Sequence, residues 1–165
     1  LSCAVKLMQD IANDETLSPT QFVQSVHNAP AGMFSIIQKI QNNMTSIAAG
    51  EKSFFMAIIE AAAWLKLHPS NTVLLTMCDD QIPQDYRSLN ITQHDFPYAL
   101  SIALKNKTDA DSAAFSLDIS SNKGSSKPNN YNLPSALNFL VWWLSDNDAN
   151  LTQQINHQSY QFVRC

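Results

Sequence analysis

Glycine is scarce in this chain: Gly32, Gly50 and Gly124 are all that 165 residues contain. Loops that cradle phosphate need clustered glycines, so a P-loop and a G-x-G-x-x-G dinucleotide turn are excluded, and no G-x-S-x-G is present either. Cysteine is equally sparse. Cys3, Cys78 and Cys165 are far apart and odd in number, which suits reduced thiols in cytoplasm better than a disulfide framework. The four histidines, at 27, 68, 94 and 157, lack the local spacing of a metal motif, so neither metal nor cofactor is expected. Positive charge is also thin, with ten Lys and Arg scattered in a chain of net charge −4 and pI near 5.4. That argues against a nucleic-acid or anionic-membrane surface. No apolar run is long enough to span a bilayer, because the longest, Phe54 to Leu65, is broken by Glu60. No signal peptide is read at the N-terminus. Sequons at Asn43, Asn90, Asn106 and Asn150 are about what chance gives in a chain rich in Asn and Ser/Thr, and carry no glycosylation reading.

What is present is a globular composition, 45% hydrophobic, of a length that suits one domain over residues 1–165. Residues 1–14 place Val5, Leu7, Met8, Ile11 and Ala12 on one helical face. In "LSPTQF", Ser18 reads as an N-cap with Pro19 at the first position of a helix running to about Val26. After "HNAP" a third helix carries Ala31, Phe34, Ile37 and Ile40 at helical spacing. "MTSIAA" reads as a short strand. Residues 51–67 read as a central helix, apolar nearly all round and therefore covered on several sides. "TVLLTMC", residues 72–78, lacks alternation and reads as a buried strand of a parallel or mixed sheet. Strands at 98–105 and 113–119 alternate as antiparallel neighbours would. Residues 120–131 read as a flexible loop, "LPSALNFLVWWLSD" as an amphipathic helix with Pro134 near its start, and "SYQFVRC" as a last strand. The pattern is three-layer α/β.

Most polar candidates have a plain structural explanation. Asp79 and Asp80, at the end of a predicted strand, read best as turn caps. Cys78 reads as a small buried hydrophobe. His27 and Asn28 lie at a helix junction where both can satisfy backbone groups. Trp64, Trp142 and Trp143 fall at helical positions as core or interface aromatics. Glu51 is different. In "TSIAAGEKSFF" a strand, a turn at Gly50 and a helix form an elbow of the kind that exposes a reactive side chain at a helix N-terminus. Ala48, Ala49, Phe54 and Phe55 surround it in sequence, and a carboxylate buried among them needs a partner or a proton.

"LSPTQFVQSVHNAPAGMFSI" followed by "TSIAAGEKSFFMAIIEA" resembles the N-terminal-domain family of β-ketoacyl-synthase-like proteins. Within it, the similarity is to chain-length-factor-like members of aryl polyene gene clusters, from about residue 5 to the "PSALNFLVWWLS" helix. The resemblance implies half of a thiolase-like fold, a layered α/β/α arrangement around a mixed sheet that lacks its first strand and helix. In condensing enzymes of this fold the corresponding elbow presents the acyl-carrying cysteine. Aligning "SIAAGEKSF" on it puts Glu51 in that place, with Gly50 and Ser53 completing the elbow.

A glutamate cannot form a thioester intermediate, and the further His or Asn groups of active ketosynthases come from a C-terminal half that this chain does not include. The resemblance therefore implies no catalytic residue and no condensation by this chain alone. It implies a chain-length-factor-like subunit of polyene or polyketide (fatty-acid-like) assembly. Such a subunit pairs with a full-length β-ketoacyl synthase as heterodimer or heterotetramer and meets an acyl carrier protein through the complex. Met33, Phe34, Ile47, Ala48 and Phe54 are the residues it marks as interface or tunnel-shaping. One alternative is a homologue that decarboxylates malonyl thioesters, and another is a pure scaffold or chaperone for the partner.

Overall fold

The computed structural model describes residues 2–82, 84, 96–108, 113–121, 133–145 and 148–165. These fall into two compact units, one made of Leu1–Ala48 with Ile82–Ile91, the other of Ala49–Gln81 with Thr92–Cys165.

The first unit is helical. Helix α1 (Ser2–Ala12) packs on α2 (Pro19–Ser25), and α2 packs on α3 (Ala29–Gln38). The start of α2 is the one expected: the Ser18 hydroxyl accepts from the Gln21 amide, with Pro19 in the first turn, where a missing N–H is harmless. Neither α1 nor α3 ends on glycine. Asp14 and Lys39 take the left-handed conformation instead, at φ 54° and 53°, and the amides of Glu15 and Ile40 close back on Asp10 and Ser35 at 2.9 Å. Leu7 is buried, while Met8, Phe22, Val23, Ile36 and Ile37 are exposed.

The second unit holds the core. A single 3₁₀ turn, Gly50–Lys52, leads into α4 (Ser53–Leu67), followed by strands β1 (Val73–Asp79), β2 (Tyr98–Leu104) and β3 (Phe115–Ser121). Helix α5 (Ser135–Leu144) and strands β4 (Asn150–Ile155) and β5 (Gln158–Arg164) complete it. Among the described residues the strands form two antiparallel sheets rather than the mixed sheet expected, β1 paired with β2 and a second sheet in the order β3-β5-β4. The strands at 98–104 and 115–121 are thus not each other's neighbours, as their alternation had led us to expect. β1 is not covered on both faces either. Leu75 is buried, but Leu74 is 65% exposed, and Thr76 faces out to bond Ser101 across the pair at 2.9 Å.

Helix α4 buries one face, Phe54, Phe55, Ile58, Ala61 and Leu65, and leaves Ala62, Ala63 and Lys66 exposed, so it is not enclosed all round. The Asn106 side chain donates to the Leu65 carbonyl in the last turn of α4 at 3.0 Å and to the Pro69 carbonyl just beyond its end at 3.2 Å. Phe54, Phe55, Phe139, Trp142, Tyr160 and Phe162 form an aromatic core between α4, α5 and the three-stranded sheet. Phe139 and Phe162 meet nearly edge to face, with centroids 4.9 Å apart. α5 begins after Pro134, as expected. Most of the predicted loop at 120–131 lies outside the described residues, and Ser120 and Ser121 end β3.

Candidate functional site

The elbow is built from local bonds. Gly50 has φ +58°, a conformation in which a Cβ costs about 1–2 kcal/mol, so glycine is the natural residue for it. The Lys52 amide donates to the Ala49 carbonyl at 3.2 Å, closing the 3₁₀ turn. The Ser53 hydroxyl then accepts from the Ala49 amide at 2.9 Å and donates to the Gly50 carbonyl at 2.7 Å. One buried side chain thereby satisfies a donor and an acceptor of a turn that has no other cap. Ser53 was expected as part of the elbow, and this is how it takes part.

Glu51 stands at the apex of that turn and is exposed. The buried carboxylate expected from its apolar neighbours is not found, because Phe54 and Phe55 turn inward with α4 and leave the preceding turn at the surface. Among the described residues nothing pairs with the Glu51 carboxylate. Residues 44–49 run into the turn as irregular backbone, where a strand was expected. An exposed glutamate in the first turn is favoured by the helix dipole.

The residues expected to contact a partner separate by environment. Met33 and Phe34, on α3, are about half exposed at 49% and 50%. Ile47 is half-buried and Ala48 exposed. Phe54 is fully buried, with its ring against Phe139 at 5.4 Å and Phe162 at 6.1 Å, and so belongs to the core of its unit rather than to a surface. Asn28 takes the N-cap position of α3 without a side-chain cap bond. With His27, Ala31, Gly32, Met44 and Ser46 it lines a pocket of about 240 Å³ in the first unit.

The end of β1 is a polar corner. Asp79 and Asp80 accept from the amides of Asp80 and Gln81, as turn caps do. Cys78 is exposed, contrary to the buried position expected of it. Tyr98 is directly opposite Asp79 in the β1–β2 ladder. Burial pushes its phenol pKa up, helped by the Asp79 carboxylate and then by Cys78. Among the described residues no group of three or more His, Cys, Asp or Glu is placed to hold a metal ion. None of the described helices is long and apolar enough to cross a membrane.

Sequence reasoning missed Lys52. Its ammonium donates to Gln158 Oε1 at 2.8 Å, and the same oxygen accepts from the Tyr160 hydroxyl at 2.9 Å. Gln158 is 106 positions away in the chain, so no local pattern announces the contact.

Comparison with known proteins gives a consistent result. The family model for the β-ketoacyl synthase N-terminal domain matches residues 1–162. No curated protein matches. Among solved structures, the chain is similar to a chain of the complex of the ketosynthase ApeO with its chain length factor ApeC from Xenorhabdus doucetiae. The TM-score is 0.77 at 25% sequence identity, over 99% of this chain and 64% of that one. The likeness extends the thiolase-like, half-domain reading to nearly every residue here, while this chain spans less than two thirds of the relative's length.

Proposed function

The chain belongs to the β-ketoacyl synthase N-terminal-domain family, and on that premise we propose that it is a non-catalytic, chain-length-factor-like subunit. It pairs with a full-length β-ketoacyl synthase in aryl polyene or related polyketide assembly, in the cytoplasm, and meets the acyl carrier protein through that complex. Residues 1–165 act in it as a single ketosynthase-like domain.

The observation that carries this reading is the elbow. Gly50 and Ser53 make a sharp, well-bonded turn at the N-terminus of a buried helix, and the side chain it presents is Glu51. The resemblance aligns this turn with the one that presents the nucleophilic cysteine in condensing enzymes, and a carboxylate in that place forms no thioester with an acyl group. Similarity to a chain of a complex between a ketosynthase and its chain length factor supports pairing as the role of such a chain. Met33, Phe34, Ile47 and Ala48 are the proposed interface or tunnel-shaping residues, while Phe54 holds α4 from the inside.

The test is co-expression with a full-length β-ketoacyl synthase of an aryl polyene cluster, followed by mass measurement in light scattering with the lone chain as control. A stable one-to-one or two-to-two complex is expected. A well-behaved monomer that ignores the ketosynthase would overturn the reading.

A further inference from the structure

We propose that Lys52, tethered through Gln158 to Tyr160, is the positioning residue of the elbow, holding the turn in place whether or not Glu51 keeps its carboxylate. Lys52 sits at the N-cap of α4. A cation is disfavoured there, because the free amides of a helix N-terminus carry partial positive charge. The side chain is nonetheless drawn to one acceptor, Gln158 Oε1, at 2.8 Å. Two donors converge on that atom, the ammonium and the Tyr160 hydroxyl at 2.9 Å, which identifies it as the amide oxygen and uses both of its lone pairs.

The far end of the tether is fixed. Gln158 and Tyr160 are two apart on β5 and so point to the same face of the sheet. Tyr160 is fully buried, and its ring stacks on Phe55 at 4.0 Å and 21°. Two independent links therefore join the first turn of α4 to β5, the Phe55–Tyr160 stack inside and the Lys52–Gln158–Tyr160 bonds at the rim. With Ser53 closing the backbone, no bond in the turn needs Glu51. Its carboxylate is left as a presented group on a seat that other residues hold.

The test is amide hydrogen exchange on the full chain. Lys52→Met should speed exchange at the bonded amides of Ala49, Lys52 and Ser53 by about tenfold, the loss expected for a charge-assisted bond that restrains local opening. Lys52→Arg should restore most of the protection, Tyr160→Phe should weaken it partly, and Glu51→Gln should leave it unchanged. Protection in β3 and β4 should stay constant throughout, which separates local loosening from general unfolding. Equal exchange in Lys52→Met and the parent, or an equal loosening by Glu51→Gln, would overturn the proposal.

A second arm rests on the subunit reading. If the parent chain pairs with its ketosynthase, Lys52→Met should weaken pairing several-fold and Lys52→Arg should recover it. Absence of pairing by the parent chain counts against the subunit reading alone, and the exchange result still decides the tether.

Discussion

The hydroxyl of Ser53 donates to the carbonyl of Gly50 at 2.7 Å while accepting from the Ala49 amide at 2.9 Å. The serine lies inside the helix whose entry it caps, and it is buried. Ser53→Ala removes both bonds and should lower stability to urea by about 1–2 kcal/mol, the usual cost of a lost cap. Ser53→Thr keeps the hydroxyl and should cost less. Equal midpoints for the parent and Ser53→Ala would show that the turn closes without this bond.

Gly50 calls for a different substitution series. A Cβ built there meets nothing within 4 Å, so the cost of Gly50→Ala is backbone strain alone, at φ +58°. That is about 1–2 kcal/mol. Asparagine tolerates the left-handed region better, so Gly50→Asn should be closer to the parent than Gly50→Ala in the same denaturation curves. The reverse order would argue that contacts rather than conformation select glycine here.

Much of this was legible in the sequence, and the failures have physical causes. The helices announced themselves through apolar spacing and through Ser18 and Pro19, which act locally. β4 did not, because Thr152 and Gln153 are buried within it and look like loop residues. Burial is tolerable for Gln153 because its amide donates to the Ser135 carbonyl at 3.3 Å. The β4–β5 turn is Asn156–His157, with Asn156 at φ 54°, and it lacks the glycine that marks most tight hairpins. Pairing was harder still, since apolar content in "TVLLTMC" does not reveal that Leu74 faces outward. Glu51 was correctly located at a turn, but its burial was misjudged, because neighbours in sequence need not share its side of the helix.

Arg164 offers a test of the core's edge. Its guanidinium bonds the carbonyls of Trp142, Trp143 and Ser145 at the end of α5, and lies 5.0 Å and 5.6 Å from the two indole centroids. A cation here complements the helix C-terminus, caps its free carbonyls and stacks on aromatic faces. Arg164→Met should cost about 2 kcal/mol. Arg164→Lys keeps the charge but not the planar fork, so it should recover less than half of that loss. Full recovery by lysine would reduce the role to charge alone.

High pH should act through two tyrosines. Burial raises the phenol pKa of Tyr160, and burial with the Asp79 and Cys78 charges raises that of Tyr98, above the ordinary value of 10.0. A raised value means that the folded chain holds the proton more tightly than the unfolded one, so this contribution is complete below about 10 and disappears as pH climbs through the folded values. Thermal stability should therefore fall above about pH 10 more steeply than in Tyr98→Phe or Tyr160→Phe, each of which removes one titrating group. Asp79→Asn takes away an anion opposite Tyr98 and should move that phenol back toward its ordinary value, read from phenolate absorbance in the ultraviolet. Because burial is the larger cause at Tyr98, the return should be partial, and a complete return would make the Asp79 charge the dominant influence instead.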